Sequence, residues 1–136
     1  DQRVAPLSKR EMESRKRAID LHEAGNLDSQ ALRRAMTQGD KRFVKTALSL
    51  MAEIGEEMVA RIFDQKSSKG IVALCWKSGL DMHIAMQMQF TIGKIAPTSV
   101  IRSTCENGFP MTPEEMNWQF ELFENRDEKQ YRTAVH

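Results

Sequence analysis

The stretch IVALCWKSGLDMHIAMQMQF, residues 71–90, places a thiol (Cys75) and an imidazole (His83) among apolar residues. Such a pair can perform nucleophilic catalysis when the base reaches the thiol and a third group orients the base. Here the two fall on different helices across a turn at Gly79, so the spacing forces no contact. An unpaired cysteine in an apolar helix is ordinarily a packing residue. The stretch therefore reads as the seam between two helices, with His83 at a surface or interface, and no catalytic residue is assigned. The sharper alternative is a phosphotransfer or signalling adaptor using His83. Helical phosphotransfer domains pair an exposed histidine with a lysine along the same helix, and the Ile-Ala-Met-Gln that follows His83 lacks it.

Other ligand chemistries find little purchase. Cys75, His83, Cys105 and His22 are scattered without the close pairs that mark zinc sites, so neither metal nor cofactor is expected. The segment KSSKG (66–70) lacks the glycine spacing and preceding strand of a phosphate loop, and reads as a solvated loop. Arg15, Lys16 and Arg17 are interleaved with acids, including Glu13 four residues before Arg17, as on an ordinary exposed helix. Arg33, Arg34, Lys41, Arg42 and Lys45 flank one turn with few acidic neighbours, in outline a helix-turn-helix. The second helix, however, must bury Phe43, Val44 and Leu48, which leaves few side chains to read bases. Nucleic acid is thus a secondary reading, through Arg33, Arg34, Lys41 and Arg42, and a basic face toward a protein is preferred.

Two apolar features could meet a partner. Met82, Met86 and Met88 form a soft, adaptable group, with Met82, Met86 and Phe90 expected on one inward stripe. In MTPEEMNWQFELF, Met116, Phe120 and Phe123 share one stripe while Trp118 and Leu122 lie well round from it. A helix apolar on two sides is sandwiched or offers one side to a partner. Trp118, Leu122 and Met86 are the candidates.

The elements that position these residues are helical. The chain has 136 residues, 40% apolar, with a net charge of +1, which suits one domain with a real core and no dominant pull on nucleic acid. Up to Lys69 there are fourteen Lys/Arg against eleven Asp/Glu, and from Gly70 onward six against eight. Ser8 with Glu11 forms a capping box, and Asp28, Asp40 and Asp81 are further caps. Gly25, Gly39, Gly55, Gly79 and Gly93 are expected helix stops. Pro97 starts a short helix expected to reach Cys105, and Thr112, Pro113 and Glu115 open the last one. Met12, Ile19 and Leu21 give the first helix only a thin apolar stripe. No stretch alternates long enough for a strand, and the fold is all-α.

Residues 31–50 and 71–90 also align at an offset of forty, matching Leu32 to Val72, Met36 to Trp76, Gly39 to Gly79 and Val44 to Ile84. Helix pairs at that period suggest a HEAT/armadillo-like stack of about seven or eight short helices in antiparallel pairs. The expected domains are an extension over 1–8, a helical domain over 9–125 and a polar tail over 126–136. Two cysteines without a paired motif point to a reducing, cytoplasmic compartment. No apolar run approaches a membrane span of roughly 20 residues. A start at Asp1 suggests a piece of a longer protein.

KGIVALCWKSGLDMHIAMQMQ, then IAPTSVI, then GFPMTPEEMNWQFELF, together with ALRRAMTQGDKRFVKTALSLMAEI, resemble a bacterial family, domain of unknown function 2336. The resemblance rests on Trp76, Lys77, Gly79, Leu80, Ile95, Pro97, Pro110, Thr112, Glu115, Met116 and Trp118, and runs from about Leu27 to Phe123. It is similar to that family's C-terminal region, found largely in alphaproteobacteria. It implies a HEAT-like helical array in a bacterial cytoplasmic protein and carries over no catalytic residue. The expected role is a non-catalytic helical-repeat module that binds an unidentified protein.

Overall fold

The computed structural model describes residues 6–103 and 108–135, with side chains to Glu124. Among the described residues seven α-helices follow one another: α1 (Lys9–Glu23), α2 (Ser29–Gln38), α3 (Lys41–Ala52), α4 (Glu56–Asp64), α5 (Ser68–Lys77), α6 (Met82–Thr91) and α7 (Pro113–Val135). Among the described residues there is no strand, and the all-α reading holds.

The caps act as their sequence demands. Asp28, Asp40, Ser67 and Asp81 each accept the backbone N–H three residues on, meeting one of the donors a helix start leaves orphaned. Ser8 with Glu11, and Thr112 with Glu115, close reciprocal boxes. Gly39 and Gly79 take φ of 70° and 80°, the left-handed turn that lets each hairpin reverse.

Three boundaries differ from expectation. Helix α3 ends at Ala52, and Glu53 itself takes the left-handed turn at φ 59°, while Gly55 caps the start of α4. The Ser49 hydroxyl donates to the Ile54 carbonyl and stitches that turn. The helix expected from Pro97 is one 3-10 turn, Pro97–Ser99, with extended backbone at Val100; Cys105 lies outside the described residues. Helix α7 continues to Val135, through the segment read as a tail.

Packing centres on α5, which touches α3, α4, α6 and α7. Its residues Ile71, Val72, Ala73, Leu74 and Cys75 are wholly buried. The hairpins α2–α3 and α5–α6 meet through α3 on α5 and α2 on α6. That crossed pairing is what a two-fold axis between the hairpins would produce. Helix α1 lies on α3 and buries only Ser14 and Ala18, so polar bonds complete its attachment. Arg15 donates to Glu56 at 2.9 and 3.0 Å, while Ser14 and Arg17 donate to Asp40 at 2.8 and 3.0 Å. Arg17 therefore pairs across to α3 and stacks over Phe43, 5.2 Å from the ring centre, in place of the expected partnership with Glu13.

Glu56 joins three helices, accepting from Arg15 on α1 and from the Thr46 hydroxyl on α3 at 2.8 Å. Burial pushes its carboxyl upward, but the Arg15 and Thr46 hydrogen bonds outweigh this, and it sits below its ordinary value. A depressed carboxyl stabilises the fold above the unfolded pKa and loses that contribution as pH falls through the folded one.

Candidate functional site: an exposed aromatic ridge and a basic cleft

Helix α7 is amphipathic in two directions. Its inner side buries Met116 and Phe123 with Phe120 half-buried, against α5 and α4. Its outer side leaves Trp118 51% and Leu122 38% exposed. They stand four residues apart, so their side chains form one apolar ridge. Among the described side chains, the charged ones exposed on the same helix are carboxylates: Glu114, Glu115, Glu121 and Glu124.

A second feature lies on α2. Arg33 and Arg34 are exposed on its outer side while Leu32, Ala35 and Met36 are buried beneath. Between α2 and α6 runs a cleft of about 340 Å³ lined by Arg33, Met36, Thr37, Gln87, Phe90 and Thr91. Phe90 is 37% exposed, and Arg102 stacks over its ring at 5.9 Å. The expected inward stripe of Met82, Met86 and Phe90 is therefore not the buried one. Met82 is buried, Met86 is half-buried and Phe90 faces outward, while Ala85, Met88, Gln89 and Ile92 complete the inner side.

The basic residues read together in the sequence line several crevices. Arg33 and Arg34 line the crevices beside α2. Lys41 and Arg42 line another crevice with Arg10, Glu11, Ser14 and Asp40, where two carboxylates accompany three cations. Arg42 is half-buried, 3.9 Å from Glu56. Burial lowers the Lys45 ammonium from its ordinary value, with Asp64 opposing.

Cys75 and His83 sit in opposite environments, one buried and one exposed. Cys75 is fully buried with its Sγ 3.7 Å from the Met88 sulfur, and burial pushes its thiol far above the ordinary value. A thiolate nucleophile needs the opposite environment. His83 is exposed in the first turn of α6. Among the described residues no group of His, Cys, Asp and Glu could hold a metal ion. We expect iodoacetamide to leave Cys75 unmodified in the native protein and to label it in urea. Peptide mapping checks this, and native labelling of Cys75 would contradict its burial.

One structural residue carried only a faint sequence signal. Gln89 is wholly buried, and its amide pairs with both backbone groups of Ile101, at 2.9 and 2.8 Å. Its register with Met82, Ala85 and Ile92 marks a polar residue at a core position, which calls for a specific partner.

Among the described residues no helix is long and apolar enough to cross a membrane. No curated protein and no solved structure matches the chain. A family model described as an uncharacterised protein conserved in bacteria, DUF2336, matches residues 1–107. The match takes in α1, outside the span the sequence motifs had suggested, and ends ahead of α7. With the greater part of the chain matched, the protein belongs to the DUF2336 family.

Proposed function

We propose that this protein is a non-catalytic helical module that docks another protein against the Trp118–Leu122 ridge of α7. The observation that carries the reading is the 51% exposure of Trp118 on a helix already anchored by its opposite side. Tryptophan is enriched at binding hot spots. The surrounding glutamates select a partner whose apolar seat has a basic rim. The packed helical hairpins would supply the rigid support, since arrays of helical pairs commonly present binding faces. A reduced, buried Cys75 suits work in the bacterial cytoplasm.

The test is a photo-crosslinking amino acid placed at position 118 in the full chain, in bacterial cells, with Glu57 as the control position. Protein adducts from position 118 well above the control support the reading. Equal yields from the two positions refute it. Trp118→Ala is expected to change stability by no more than about 0.5 kcal/mol, as for other exposed substitutions, while abolishing those interactions. Urea denaturation checks the first half of that statement.

A further inference from the structure

We propose that the partner of the Trp118–Leu122 ridge is a second copy of this chain, which receives it in the Arg33–Phe90 cleft between α2 and α6. This rests on the reading of the ridge as a docking surface and names its occupant.

The chain carries both halves of one complementary pair. The ridge is an aromatic and a leucine flanked by the exposed Glu114, Glu115 and Glu121. The cleft has Phe90 and Met36 in its lining, with Arg33 at its edge and Arg102 against the Phe90 ring; Arg34 stands next to it on α2. Carboxylates meeting guanidiniums around an aromatic contact is the arrangement that gives interfaces their orientation. A tryptophan edge against Phe90 adds an aromatic pairing.

Within one molecule the two halves are apart. Helix α7 packs on α4 and α5, whereas α2 packs on α3 and α6. The ridge therefore meets such a cleft only on another molecule. The net charge of +1 sets no long-range repulsion between copies, and near-neutral proteins associate readily. Two different patches make the contact heterologous, so association continues head to tail unless the rotation closes a ring.

That geometry gives a discriminating experiment on the 136-residue chain. The average mass is measured by sedimentation equilibrium across a concentration series at low and high salt. Wild type is expected to pass beyond a dimer at high concentration and to dissociate with salt. Trp118→Asp alone, and Arg33→Glu with Arg34→Glu, are each expected to weaken association on the order of thirtyfold or more. Circular dichroism confirms that these surface variants fold. Mixed one to one, the two variants should form a heterodimer and stop there, because each retains the half the other lacks.

A monomeric wild type throughout the series overturns the proposal. If position 118 still crosslinks to another protein, the docking reading survives without it; if neither occurs, both fail. Self-association lost in Trp118→Asp but unchanged by the arginine reversals overturns the α2 seat, and places the ridge against itself.

Discussion

Gln89→Leu lowers the stability of the protein by about 1–4 kcal/mol, although leucine is the more apolar residue. The amide holds the Ile101 N–H and C=O together, and also donates to the Ala85 carbonyl at 3.3 Å. Leucine leaves both Ile101 groups without a partner beside α6, at roughly 1–3 kcal/mol each. The added apolar burial returns about 1–2 kcal/mol. The loss of the pair wins. The effect has a local signature, because Gln89 and the Ser68 hydroxyl, which donates to the Ser99 carbonyl at 2.9 Å, add hydrogen bonds that tie the 99–101 segment to the helices beside the packing of Val100 and Ile101. Amide exchange at Ile101 should accelerate more than exchange within α5. Uniform acceleration across the chain would mean the clamp is not local.

Leu74→Ala is the larger perturbation, at about 3–5 kcal/mol. Leu74 is wholly buried at the middle of α5, the helix on which four others converge. A truncated side chain there opens a cavity that several helices would have to move together to fill. Since a domain of this kind holds roughly 5–15 kcal/mol in all, the variant is near the edge of folding. Urea unfolding monitored by circular dichroism measures it. A shift under about 1 kcal/mol would show that the surrounding helices collapse freely, contrary to a centrally packed α5.

The sequence was most legible where the physics is local. Asp28, Asp40, Asp81 and the two capping boxes bond within three residues, so their side chains announce the helix starts directly. Gly55 misled because a left-handed stop can fall on another residue when the turn is otherwise bonded, as Glu53 does with help from Ser49. Phe90 misled by accumulated angle. Steps of four residues advance about 40° beyond a full turn, so Phe90 sits about 80° round from Met82 and reaches the surface. Long-range polar bonds left the weakest trace. Nothing local joins Arg15 to Glu56 across 41 residues, or Gln89 to Ile101.

The ridge shows the same division. Trp118 and Leu122 were separable from Met116, Phe120 and Phe123 by helical angle alone, and the structure leaves the first pair exposed. The crevices that the basic residues line, Arg33 and Arg34 in one and Lys41 and Arg42 in another, follow from tertiary packing and leave no local trace. The cleft at Phe90 needed the packing of α2 on α6, a contact no local pattern encodes.

The most direct test of the account is one crosslinking yield. A photo-reactive residue at Asn117, exposed beside the ridge, is compared in the native chain and in the Trp118→Ala, Leu122→Ala double variant, with urea denaturation confirming that both fold. A ridge that docks a partner gives a folded variant whose adducts are lost. An unfolded variant would make the ridge part of the core, and a folded variant with undiminished adducts would place the docking surface elsewhere.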